Sequence, residues 1–291
     1  MSRLYDALRR VEEEGRSAVA APSKSAVAVA PPGAPESLSA IPTLSAHIGS
    51  DSRIVVSRDP RCPGSERFRL IRMALRNAAG GKLPKVLLIT SALPKDGKST
   101  IALNLASSLA ERGKQKVLLL EADLHRPSLL TNLGLERMPG LTEVLQGAKE
   151  PMSVIHRIDP LDFYLLAAGR LPDNPVELFQ SERFHELLQG FRASFDCIML
   201  DCPPAFPLAD VVALKAHADG VLVVARAGAT PREAVRETLE MFKPEQVLGV
   251  ILNAQEQVDQ LYAKYDYRKE EPDNSGRAHT SVTGSGGRAE D

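Results

Sequence analysis

Unbroken aliphatic runs recur along the middle of the chain: 85–91 (KVLLITS), 117–121 (VLLLE), 163–168 (FYLLAA), 197–201 (CIMLD), 220–225 (GVLVVA) and 248–253 (LGVILN). Strands covered on one face alternate polar with apolar positions. These runs do not alternate, which is the pattern of parallel strands covered on both faces. Between them the apolar positions fall at helical spacing, predicting helices over 65–77, 100–112, 181–192, 208–217 and 231–241. Strand and helix in turn predict an α/β fold, a doubly wound and mainly parallel sheet.

The pattern differs at both ends. Residues 2–15 predict a short amphipathic helix, with Ser2 placed to cap it, Leu4, Leu8 and Val11 on one face beside Tyr5, and Gly15 placed to end it. At that length it is marginal alone, so the stripe should dock on something. Residues 17–51 turn to Ala, Ser, Val and Pro without periodicity, the composition of a flexible linker. The division expected is therefore a helix at 1–16, a linker at 17–51, a folded domain at 52–257 and a disordered tail at 258–291.

Composition adds one constraint. There is no Trp, and eight Phe and five Tyr make only 4% aromatics, so the core should be aliphatic rather than built on aromatic anchors. Lys and Arg number 36 against 37 Asp and Glu, so no basic excess points to nucleic acid. The three cysteines, Cys62, Cys197 and Cys202, have neither disulfide nor zinc spacing. No apolar run approaches the roughly 18 residues of a membrane span. The opening MSRLYDALRR lacks the apolar core of a signal peptide, and a cytosolic location is expected.

The candidate chemistry follows the first long strand. Ala92, Leu93, Pro94, Lys95, Asp96, Gly97, Lys98, Ser99 and Thr100 fit the phosphate-binding pattern G-x-x-x-x-G-K-[ST], with Ala92 in the first glycine's place. Such a loop curls backbone N–H groups around phosphate oxygens at a helix N-terminus. Lys98 would neutralise the β- and γ-phosphates, and Ser99 would ligate Mg2+. Glu121 and Asp123 end the second run and Asp201 ends the fourth. In a doubly wound sheet these strand ends face the ligand crevice, so the three acids are candidates for metal binding or catalysis rather than helix caps.

With these residues in view, the chain resembles the bacterial tyrosine kinases. VLLITSALPKDGKST resembles their Walker A motif, CIMLDCPP their Walker B, and VLLLEADLHRP their additional aliphatic-D-x-D-x-R motif. LPDNPVELFQSERFHELL and DGVLVVARAGATPREA also resemble family sequence, so that the likeness runs from about Glu66 to Asn253. The resemblance implies an ATP- and Mg2+-dependent protein-tyrosine autokinase acting in capsule or exopolysaccharide synthesis. It implies nucleotide contacts from residues 92–100 and Asn253, metal binding by Ser99, Asp123 and Asp201, and catalytic roles for Lys98, Glu121, Asp123 and Asp201. Glu121 stands where the family's first Asp orients or deprotonates the acceptor tyrosine.

Glu66, Arg69 and Arg72 match the family's E-x-x-R-x-x-R motif, which implies subunit contacts; by spacing alone they share one helical face with Arg76 and read as a solvated, salt-bridged surface. Three of the five tyrosines, Tyr262, Tyr265 and Tyr267, crowd near the C-terminus, where the family phosphorylates a tyrosine cluster between neighbouring subunits. The resemblance further implies a separate transmembrane adaptor of the polysaccharide co-polymerase type and a place at the inner face of the cell membrane. Glu121 for Asp, His125 for Arg and Lys95 for Gly depart from the family pattern, and the tyrosine cluster lies farther from the chain end. Two other readings stay open: a regulatory ATPase switch of the MinD/ParA type, and a weakly active ATP-binding scaffold.

Overall fold

The computed structural model of the chain is described for residues 38–49, 52–56, 62–206 and 209–254. The expected N-terminal helix, most of the linker, the tail and Tyr262, Tyr265 and Tyr267 lie outside these residues.

An eight-stranded sheet organises them: β1 (Thr43–Ser45), β2 (Val86–Ser91), β3 (Val117–Glu121), β4 (Ile155–Asp159), β5 (Phe163–Leu166), β6 (Cys197–Asp201), β7 (Gly220–Arg226) and β8 (Val247–Asn253). Their order across the sheet is β1-β4-β5-β3-β6-β2-β7-β8. Neighbours run parallel except β4 and β5, so β1 and β4 oppose the other six. All six expected strands are present, with ends within two residues of those expected. The two extra strands, TLS and IHRID, are too short and too polar to stand out as aliphatic runs.

Helices cover both faces. On one lie α1 (Pro63–Ala78), α2 (Lys98–Ala110) and α3 (Leu129–Asn132), packed with Leu87, Ile89, Leu119, Met199 and Val224. On the other, α4 (Leu141–Leu145), α5 (Pro175–Gln180), α6 (Glu182–Ser194), α7 (Asp210–Leu214) and α8 (Arg232–Glu240) meet Leu88, Leu120, Ile198, Leu200 and Val223. Adjacent residues of one strand thus serve opposite cores, which is why these strands are aliphatic without interruption. Among the described residues no helix is long and apolar enough to cross a membrane.

Two expectations need correction. Residues 38–49, assigned to the linker, pack on the domain. Leu38–Ala40 form a 3-10 turn, β1 pairs with β4, and His47 N–H donates to the Leu133 carbonyl at 2.8 Å. Ile41, Leu44 and Ile48 supply the apolar contacts, hidden in the sequence by the Ala, Pro and Ser around them. The folded region therefore includes residues upstream of the expected start at 52.

The second concerns the rings. The strands are aliphatic, yet seven of the eight phenylalanines are buried, at 68, 163, 179, 184, 191, 195 and 242. Phe179 and Phe184 meet edge to face with centroids 5.3 Å apart, and Phe191 meets Phe195 at 5.8 Å. A small aromatic allotment is concentrated where α5 and α6 cover the sheet, and edge-to-face pairs add to simple area burial. Phe184→Ala should lower unfolding free energy by about 3–5 kcal/mol in urea denaturation, and Phe184→Leu by less than half of that.

Candidate active site

The site begins where β2 ends. Residues 92–97 turn from Ser91 into α2, and Lys98 is the first residue of that helix. Gly97, at the N-cap position, has φ +96 and makes no side-chain cap, so the first amides of α2 keep their capacity for an anion. A side chain on Gly97 would also displace the Asn253 side-chain amide, which is bonded to the Asp96 carbonyl. Lys95 is also left-handed, at φ +71. That conformation explains why glycine suits this position, and Lys95 carries the strain instead.

The loop is closed by its own polar groups. Ser91 Oγ donates to the Leu93 carbonyl at 2.8 Å, and Leu93 N–H donates to Asp96 Oδ2 at 3.0 Å. Asn253, at the end of β8, donates from Nδ2 to the Asp96 carbonyl at 2.8 Å. The expected nucleotide contact from Asn253 is thus, in this geometry, a contact to the loop itself.

Lys98 Nζ lies 2.8 Å from Asp123 Oδ2, with both side chains largely buried. Burial opposes the ammonium charge, but Asp201 and Asp123 outweigh it and hold the Lys98 pKa above its ordinary value. The other Asp123 oxygen accepts from Arg126 N–H at 3.0 Å, which fixes the loop after β3. Asp201 is fully buried, no backbone amide reaches its carboxylate, and Ser99 and Lys98 are the polar groups beside it. Burial pushes its pKa up to about 7; Lys98 and Ser99 pull down, while Glu121 and Asp123 push further up.

A buried carboxylate with no backbone donor, beside Ser99 and Asp123, has the chemistry of a hard-cation site. Among the described residues no group of three His, Cys, Asp or Glu side chains gathers into a metal cage. A divalent cation held by Ser99, Asp123 and Asp201 would thus draw its remaining ligands from phosphate oxygens and water, the usual arrangement for magnesium.

Glu121 differs from expectation. Its Oε1 accepts from Ser128 N–H at 2.5 Å and Leu129 N–H at 2.7 Å, and its Oε2 from Ala168 N–H at 3.2 Å. The side chain is buried, and burial raises its pKa while the three backbone donors lower it. It caps α3 and ties that helix to the end of β5. In this structure Glu121 therefore serves first as a cap and a tie, with one acceptor position of Oε2 beyond the Ala168 bond.

His125 Nε2 lies 3.1 and 3.2 Å from the two carboxylate oxygens of Asp210, a buried residue at the start of α7. The pair links the Asp123 loop to the segment that follows Asp201. Asp210 escaped sequence reasoning because a lone acid beside an aliphatic stretch has no spacing signature.

The Glu66, Arg69 and Arg72 stripe divides. Glu66 and Arg69 pair at 2.6 Å on the surface of α1. Arg72 instead turns inward, donating to the Ser108 carbonyl at 2.9 Å, and Arg76 pairs with Glu111 at 2.5 Å. Both arginines fasten α1 to α2, the helix that follows the phosphate loop. Leu70 and Met73 are exposed beside the Glu66–Arg69 pair.

Comparison with known proteins supplies the kinship. The AAA domain family profile matches residues 95–246. The chain is 35% identical over 202 residues to tyrosine-protein kinase YwqD of Bacillus subtilis (strain 168), covering 69% of this chain and 85% of YwqD. It belongs to the bacterial tyrosine-protein kinase family. The kinase domain of Escherichia coli tyrosine kinase ETK superposes with a TM-score of 0.64 at 29% identity, over 69% of this chain and 79% of that domain. Succinoglycan biosynthesis transport protein ExoP of Rhizobium meliloti (strain 1021) is 36% identical over 209 residues, 69% of this chain, but the chain spans only 26% of ExoP. Within the family the sheet order and phosphate loop described above define a P-loop nucleotide-binding fold.

Two tests follow from the buried acids. An aspartate whose folded pKa is raised above its unfolded value near ~3.9 loses stability as pH rises between the two. Asp201→Asn should therefore stabilise the nucleotide-free protein well above pH 7 by up to about 4 kcal/mol, with the gain vanishing near pH 4, as read by thermal unfolding against pH. Glu121→Ala leaves three buried N–H groups without an acceptor and should cost about 2–4 kcal/mol in denaturant unfolding.

Proposed function

We propose that this chain is an ATP-dependent protein-tyrosine autokinase, transferring the γ-phosphoryl group of ATP to Tyr262, Tyr265 and Tyr267 of neighbouring subunits in exopolysaccharide or capsule synthesis. The observation that carries the proposal is the arrangement of Lys98, Asp123 and Asp201 around a phosphate loop, in a chain whose relatives over the same residues are tyrosine kinases. The polysaccharide context is supported by the likeness to ExoP.

The chemistry follows from positions. The phosphates of ATP would lie on the amides of residues 92–100, with Lys98 Nζ at the phosphoryl group being transferred. In-line attack by a tyrosine oxygen passes through a loose, highly charged transition state, so catalysis is mainly positioning and charge stabilisation. In the structure Lys98 is paired with Asp123, and a nucleotide phosphate would compete for that ammonium. Magnesium, where bound by Ser99, Asp123 and Asp201, neutralises phosphate charge and orients its oxygens. A tyrosine hydroxyl has an unperturbed pKa near ~10, so its proton needs an acceptor, for which the carboxylates at the end of β3, Glu121 and Asp123, are the candidates.

The exposed Glu66–Arg69 pair, flanked by Leu70 and Met73, is proposed as the subunit contact, with Arg72 supporting it from behind. A separate transmembrane adaptor would hold the protein at the inner face of the membrane, with the segment at 2–15 as its attachment.

Purified protein incubated with MgATP should acquire phosphotyrosine at Tyr262, Tyr265 or Tyr267 by peptide mapping, and Lys98→Met should abolish the label. ATP hydrolysis without label would replace this reading with a regulatory ATPase switch, and neither activity would replace it with a scaffold.

A further inference from the structure

The phosphate loop is gripped at Asp96 by residues that follow or end two other strands of the sheet. Asp96, at the back of the loop, is only 3% exposed. Its Oδ2 accepts from Leu93 N–H within the loop, and its Oδ1 accepts from the Thr230 hydroxyl at 2.7 Å. Thr230 Oγ1 in turn accepts from Arg226 N–H at 2.8 Å, and Thr230 N–H donates to the Arg226 carbonyl at 3.0 Å. The turn after β7 is thus closed around the same hydroxyl that reaches the loop. The end of β8 completes the grip. Asn253 donates from its side chain to the Asp96 carbonyl at 2.8 Å, while its own carbonyl accepts from Ala227 N–H at 2.8 Å.

We propose that Thr230 is a positioning residue for nucleotide binding, acting through Asp96 to hold the phosphate loop in its binding shape. The inference rests on reading residues 92–100 as the phosphate site and adds a residue with no place in the phosphate-binding pattern. Asp96 sits between two left-handed residues, Lys95 at φ +71 and Gly97 at φ +96. Backbone in that region persists only where its surroundings over-determine it. Leu93 N–H alone cannot supply this, because it belongs to the same short loop and moves with it. Thr230 and Asn253 anchor the loop to two strands of the sheet, one through the side chain of residue 96 and one through its backbone. Both of Thr230's hydroxyl bonds go to the protein, so it acts on the ligand through another residue. Without the hydroxyl, Asp96 keeps a buried oxygen lacking a partner and the loop relaxes away from the geometry that aims its amides at phosphate.

The test is equilibrium binding of a fluorescent ADP analogue with Mg2+ to full-length wild type, Thr230→Val and Thr230→Ser, with thermal unfolding followed alongside. Thr230→Val keeps the shape and removes the hydroxyl, so affinity should fall about tenfold, the scale of one hydrogen bond to a charged group. Thr230→Ser restores donor and acceptor and should bind within about threefold of wild type. In ATP turnover, the KM of Thr230→Val should rise while kcat at saturation stays within about twofold, a split that a general loss of folded protein would not produce. Should Thr230→Val fail to fold, Thr230→Ala removes the same bonds without added bulk and decides the matter. Wild-type affinity in the Val or Ala variant, or equal weakness in Val and Ser, overturns the proposal. A wild-type protein that does not bind the analogue overturns the phosphate-site reading beneath it, a result distinct from either.

Discussion

Everything at this site depends on placing acidic groups in a buried crevice around one lysine. The strand order sets β3, β6 and β2 side by side, with Glu121 level with Asp201 and Ile89 level with Asp201 on the other side. The carboxyl end of β6 thereby lies between the acids after β3 and the phosphate loop after β2. Such a cluster opposes folding unless cations or donors compensate. The three acids are compensated differently. Glu121 takes three backbone amides, Asp123 takes Lys98 and one amide, and Asp201 takes no amide and leans on Lys98 and Ser99.

That division assigns different work to residues of similar chemistry. Glu121 builds the wall of the site by capping α3, Asp123 holds the lysine, and Asp201 stays buried beside both. The phosphate loop has a parallel division. Its inward amides are kept for an anion, whereas Asp96 and its backbone are committed to β7 and β8 through Thr230 and Asn253. A loop with two left-handed residues needs such external fixing, because its own sequence does not prefer the shape it must hold. The α1 helix extends the same economy outward, with Arg72 and Arg76 fastening it to α2 while Glu66 and Arg69 remain at the surface.

Much of this was legible along the chain, for a physical reason. A doubly covered parallel strand must be aliphatic throughout, so the six central strands announced themselves. A phosphate loop needs glycine and lysine at set spacing, so the run from Ala92 to Thr100 announced itself too. The edges were not legible. The β1 and β4 strands carry too few apolar residues to distinguish them from loop, and the phenylalanines divide between the faces, Phe68 and Phe163 on one and Phe179, Phe184, Phe191, Phe195 and Phe242 on the other. Partnership was also hidden. His125 with Asp210, Thr230 with Asp96, and Arg76 with Glu111 are each separated by dozens of residues, and no local pattern links them.

Residue type and spacing by themselves determined the sheet class, the phosphate loop and the acids at strand ends, because each is a short-range requirement on residue type; the kinship with tyrosine kinases rests on the likeness of those motifs to known sequences. Only the tertiary structure decided what each acid does. Glu121 and Asp201 both end aliphatic runs and look equivalent in sequence, but one meets the amides of α3 and β5 and the other meets none. A carboxylate's role follows from the donors that surround it, and those donors come from distant parts of the chain that only folding brings together.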